Sequence, residues 1–205
     1  MPILMPEQKS YESTPLGTHI ATCYQVIDLG SQISDFANER GERDVHRRVR
    51  FSWELPNAQM KDGRPFSIGK DYTLSSNEKA NLVSDVNAWR GKPFTPAEFG
   101  AFDLERLVGH SCLLQVVEKI SKKGKPYTKV GAIMALPTGQ KSLPLINPPL
   151  KFSLDNFDRA AFDLIPQYWQ AMIKSSPEYK ELFGNEEQPT TDQGSELPQS
   201  EEVPF

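Results

Sequence analysis

The side chains best equipped for chemistry in this chain are cations set among aromatic rings. In VHRRVRFSWEL, Arg47, Arg48 and Arg50 stand beside Phe51 and Trp53. Lys70 and Tyr72 follow in the next run, and KKGKPYTK gathers Lys122, Lys123, Lys125, Tyr127 and Lys129. Arg40, Arg43, Lys61 and Arg64 occupy adjoining turns. Guanidinium and ammonium groups neutralise phosphates and aromatic faces accept bases by stacking, so this is the chemistry of holding an extended polyanion. Taken singly, the scattered lysines suit an ordinary solvated face better than a site, whereas Arg48 and Arg50 share one face and carry the functional reading. Phe51 and Trp53 read as core. Tyr72 and Tyr127, beside strand ends, divide evenly between core and stacking, and Phe36 in a long polar stretch is a further ring.

Catalytic chemistry finds little to work with. His19, His46 and His110 are scattered, and none has metal-ligand spacing with Cys or carboxylates. A Mg²⁺-dependent nuclease needs a carboxylate cluster, and Asp28, Asp71, Asp85 and Asp103 show no such spacing. No phosphate-cradling loop, nucleophile elbow or dinucleotide fingerprint occurs. The expectation is a protein without catalytic residues, metal or cofactor. Cys23 and Cys112 lie inside apolar runs and read as buried free thiols; a disulfide between the first and fourth strands is conceivable, but a cytosolic compartment argues against it.

The elements that must position these residues follow from hydrophobic period. Thr18 to Gly30 alternates as a first strand with Ile20, Tyr24 and Val26 on one face, and the polar stretch after it suits a mobile loop. In the second strand Val45, Val49, Phe51, Trp53 and Leu55 face one way and His46, Arg48, Arg50, Ser52 and Glu54 the other. An Asp-Gly turn leads to a third strand, Phe66 to Leu74, with Ile68, Tyr72 and Leu74 on one side. The period then changes to 3.6: Ser75 and Glu78 are spaced as a capping box, Leu82, Val86 and Trp89 form a stripe, and Gly91 and Pro93 stop the helix. Short helical turns over 94–109 precede a second hairpin, SCLLQVVEKIS and YTKVGAIMALP, joined by the basic turn. Three strands, a helix and two strands is the element order of the OB-fold, a five-stranded Greek-key barrel with a helix between strands three and four.

Four regions result: a flexible segment 1–16, the barrel 17–150, a helical extension 151–183, and an acidic tail 184–205. The end of the barrel region is a Pro-rich surface connector. In the extension, Phe157, Phe162, Leu164, Ile165, Tyr168, Trp169, Met172 and Ile173 recur at helical spacing, predicting two or three short helices packed on the barrel rather than a dimer interface or a strand-clamping arm. The net charge of −4 averages two unlike parts: the tail holds six acids and no base, leaving a body with 23 basic and 21 acidic groups. The tail's composition cannot offset ordering entropy, so disorder is expected. Yet it ends in EEVPF, where Glu201 and Glu202 precede a hydrophobic Val203-Pro204-Phe205 tip with a free carboxylate, suited to an apolar pocket with a basic rim on a partner. No apolar run approaches a membrane span and no leader pattern opens the chain, which places it in the cytoplasm.

EEVPF resembles the acidic, proline-phenylalanine-ending tip of bacterial single-stranded-DNA-binding proteins, which recruits replication and repair enzymes. GTHIATCYQVIDLGSQ, RRVRFSWEL, YTLSSNEKANLVSDVNAWRGKPF and FDLERLVGHSCLLQVVEKISKKGKPYTKVGAIM together resemble bacteriophage-encoded single-stranded-DNA-binding proteins of OB-fold type, over residues 17 to about 136. The resemblance implies non-sequence-specific coating of unwound strands during phage replication or recombination, without catalysis. A strand-annealing activity of the same surface, and a barrel serving only as a protein adaptor, stand as alternatives.

Overall fold

The computed structural model describes residues 12–37 and 40–184; the side chains of Asp35 and Phe36 and the expected tail tip, Glu201 to Phe205, lie outside what it describes. The chain is mainly β. Strands β1 (Gly17–Ala37), β2 (Arg43–Gln59) and β3 (Pro65–Thr73) lead to helices α1 (Asn81–Arg90) and α2 (Pro96–Gly100) and a 3-10 turn (Leu104–Leu107). Strands β4 (Ser111–Ile120), β5 (Pro126–Met134) and β6 (Leu150–Phe152) follow, then helices α3 (Arg159–Asp163), α4 (Gln167–Ser175) and α5 (Pro177–Phe183). The sheet runs β3-β2-β1-β4-β5, all antiparallel, and β6 joins β1 in parallel at Gln25–Ile27. It is an open sheet whose end strands β3 and β5 approach each other without a hydrogen-bonded ladder between them among the described residues.

Alternation along β2 sets the core. Val49, Phe51, Trp53 and Leu55 are buried against Phe66, Ile68 and Tyr72 of β3, Cys112, Leu114 and Val116 of β4, and the α1 stripe of Leu82, Val86 and Trp89. Trp53 meets Phe51 edge-on at 5.9 Å and tilts against Trp89 at 5.7 Å. Cys23 and Cys112 are buried free thiols inside this core, and burial pushes the Cys23 thiol up to about 12.

Several expectations need correction. The first strand does not end at Gly30: β1 and β2 continue as a long hairpin through the stretch expected to be a loop, pairing Ile33 with Val45 and Ala37 with Arg43. Bulges at Cys23/Gln25 and Asp28/Gly30 change which side chains face inward, so Ala21, Cys23 and Val26 fill the core while Ile20 and Tyr24 are half-buried. Val45 and Leu74 are exposed, because the core ends at Val49 and Tyr72 and both lie beyond it. The Ser75/Glu78 capping box does not start α1. Ser75 and Asn77 instead accept from Asn77 and Lys79 amides in local turns, and the helix begins at Asn81. A capping box does form at Thr95 and Glu98 of α2. The Pro-rich connector contributes a sixth strand, β6, in place of a wholly irregular path. Of the segment 1–16, Thr14 is buried and its hydroxyl donates to the Ser67 carbonyl at 3.5 Å.

The C-terminal helices pack as a second core on the opposite face of the sheet. Ile27 and Leu29 of β1 and Leu150 and Phe152 of β6 meet Phe162, Ile165, Ile173 and Tyr179. Gly30 makes this possible: its φ of +69° suits glycine, and a Cβ there would collide with the Ser176 side chain. Glu178 accepts from Ser31 N at 2.9 Å and Ser31 Oγ at 2.5 Å, tying α5 to the base of the long hairpin. Leu164 and Tyr168, counted in the helical stripe, are instead exposed. No described helix is long and apolar enough to cross a membrane.

Candidate nucleic-acid interface

Register decides where each cation points. Arg48 and Arg50 alternate with buried Val49 and Phe51, so both project from the outer face of β2, opposite Thr73 and Asp71 of β3. Arg50 is held there on three sides. Its Nη1 donates to Asp71 Oδ1 at 2.5 Å, its guanidinium lies 4.1 Å from the Trp169 ring centre, and it passes over Gly69, where any Cβ would overlap it. Arg48 is only loosely paired, 3.7 Å from Asp71. It lines a groove of about 540 Å³ with Gln32, His46, Thr73, Asn77 and Lys79, between the long hairpin and the approach to α1.

The other expected cations on these strands are turned elsewhere. Arg47 lies on the inner side and bridges Asp28 at 2.5 Å and Asp155 at 2.9 Å, and these carboxylates raise its already high pKa. Lys70 pairs with Asp85 of α1. Tyr72 is 2 % exposed and its hydroxyl donates to the same Asp85 at 2.8 Å, with burial first and the carboxylate next holding its phenol well above the ordinary value. In this structure the Tyr72 ring offers no face to a base.

The β4–β5 hairpin is different. Ser121 donates to the Lys125 carbonyl at 2.9 Å, closing a turn that carries Lys122 and Lys123, and both lysines, with Lys125, are exposed. Cross-strand pairing sets Tyr127 opposite Lys119 and Lys129 opposite Val117. These four side chains therefore share one face, with the half-exposed Tyr127 ring between two lysines. None of Lys119, Lys122, Lys123, Lys125 and Lys129 forms an ion pair among the described residues. Lys119 was not singled out from sequence, although the two-residue period about the KKGKP turn predicts its place opposite Tyr127.

The structure thus separates the expected site into two groups: a hairpin whose lysines form no ion pair among the described residues and which carries Tyr127, and the Arg48/Arg50 pair on the outer face of β2. Trp169 and Tyr168 of α4 stand beside the second group and were read from sequence only as packing residues; helical spacing gave no sign of the sheet face they would meet. Among the described residues no three His, Cys, Asp or Glu side chains gather to hold a metal ion. Comparison with protein-family models and with curated proteins finds no match for this chain.

Proposed function

We propose that the protein binds single-stranded DNA without sequence preference and without catalysis, on an OB-type barrel. Support for the barrel reading comes from the strand order β3-β2-β1-β4-β5, with β3 against β5 and α1 set between β3 and β4 in sequence and packed into the core. In such barrels the outer face of strands two and three, with the loops between strands one and two and between four and five, takes oligonucleotides. The observation that carries the binding reading is the β4–β5 hairpin, where five lysines without carboxylate partners among the described residues lie in the turn and on the strands beside an exposed tyrosine. Ammonium groups already neutralised by the protein release few counterions on binding; these retain that capacity.

On this reading a strand is steered by the hairpin lysines, stacks on Tyr127, and reaches Arg48 on β2. The tail tip, Glu201 to Phe205, recruits replication or recombination enzymes, as its resemblance to the bacterial tips suggests. The protein would then coat unwound phage strands in the host cytoplasm. Lys122→Glu/Lys123→Glu/Lys125→Glu tests the assignment against an adaptor role: affinity for a labelled single strand should fall at least about tenfold at low salt, with an unchanged melting temperature. Undiminished binding by a folded variant would remove the hairpin from the site. Arg50→Glu is a poorer probe, because it also breaks the contacts to Asp71 and Trp169.

A further inference from the structure

Tyr168 projects into solvent from the first turn of α4, 69 % exposed, whereas Trp169, Met172 and Ile173 of the same helix are half-buried or buried. Its ring stands edge-on against Trp169, with centroids 4.8 Å apart and planes at 83°. Trp169 in turn covers the Arg50 guanidinium, and Arg50 passes over Gly69 of β3. The arrangement is layered: sheet backbone, guanidinium, indole, and then a phenol facing water. Its lower layers are fixed, since Asp71 anchors Arg50 and a hydrogen bond from Gln32 Nε2 to the Met172 carbonyl, 3.0 Å long, ties α4 to β1.

We propose that Tyr168 is a base-stacking residue, and that the C-terminal extension supplies one wall of the single-strand path across the outer face of β2 and β3. This rests on the single-strand-binding reading above and assigns to it a residue outside the barrel. A base is favoured over a protein side chain because the ring packs against Trp169, which itself covers a guanidinium on the outer face of β2. Arg50 lies directly beneath Trp169, and Arg48, two residues along the same face, is only loosely held by Asp71. A nucleic-acid strand alternates phosphate anions with flat bases at short intervals, and an exposed phenol one ring removed from a guanidinium offers a partner to both. A Cβ at position 69 would overlap Arg50 Nη2, so a side chain there would push the guanidinium out of its present place on β3.

The chain holds three tryptophans, and two of them, Trp53 and Trp89, are buried in the barrel core. Quenching of indole fluorescence by a bound strand therefore reports on Trp169. The test titrates fluorescein-labelled oligothymidylate into the full chain, following polarisation and tryptophan emission together. Tyr168→Ala should weaken binding at least about fivefold, Tyr168→Phe should bind as the parent does, and the salt dependence should keep its slope because no charge is lost. Trp169→Phe should abolish the quench. If the parent chain shows no polarisation change, the function reading itself fails. If the parent binds, yet Tyr168→Ala binds equally well and no quench occurs, the function stands and the stacking assignment is overturned. If Tyr168→Ala instead alters self-association on size exclusion and leaves oligonucleotide affinity intact, the ring belongs to a protein interface and the proposal is likewise overturned.

Discussion

A basic side chain can hold a phosphate only to the extent that no carboxylate already holds it. By that criterion the two tyrosines that sequence could not separate have opposite fates. Tyr72 is buried and donates to Asp85, whereas Tyr127 stands half-exposed between Lys119 and Lys129. Tyr127→Ala should therefore weaken single-strand binding by about 1–3 kcal/mol with little change in stability. Tyr72→Phe should leave affinity unchanged and lower unfolding stability by roughly 1.5–3 kcal/mol, the worth of a hydrogen bond to a charged group. Oligonucleotide titration and urea unfolding of both variants check this, and the reverse pattern would contradict the placement. The alternation of β2 made the face of Arg48 and Arg50 legible in the sequence. It could not show that Asp71 and Trp169 would meet Arg50, or that Asp28 and Asp155 would enclose Arg47, since those partners arrive from distant segments. A period of two reports a direction, not a neighbour.

At the scale of elements, the least legible parts were those where a bulge or a short strand overrides the pattern. Polar residues after Gly30 read as loop, yet they extend β1 because β2 pairs with them across a bulge, and the cost of leaving backbone groups unpaired outweighs weak propensity. The extension was legible as short helices, but not as a second core on the sheet closed by Gly30 against Ser176. Glu178 gives that closure a pH dependence. Burial raises its carboxyl, but the two hydrogen bonds from Ser31 outweigh this and hold it below its ordinary value of 4.5. A depressed folded-state pKa contributes stability that is fully present above about pH 4.5 and is lost as pH falls through the lower folded value. Below that pH the α5 contact with β1 should loosen first, seen as faster amide exchange in α5, and Glu178→Gln should flatten the dependence. Exchange in α5 that is insensitive to pH in the parent, after correction for intrinsic rates, would contradict the assignment.

For the whole molecule, the charge of −4 conceals a body with 23 basic and 21 acidic groups and a tail holding the other six acids. Within the body Arg47, Arg50 and Lys70 are held by carboxylates, whereas the β4–β5 hairpin gathers five lysines outside any ion pair among the described residues. A net-negative chain that binds DNA must do so through a concentrated patch, and its affinity must depend steeply on salt. The most direct test of the central claim is titration of the purified full chain with a single strand of about 30 nucleotides and with duplex of the same length, from about 50 to about 300 mM salt. The expected result is preference for the single strand and an affinity that falls with salt at about −0.7 per phosphate contact on logarithmic axes. Equal affinity for both forms, or no binding at the lowest salt, would contradict it.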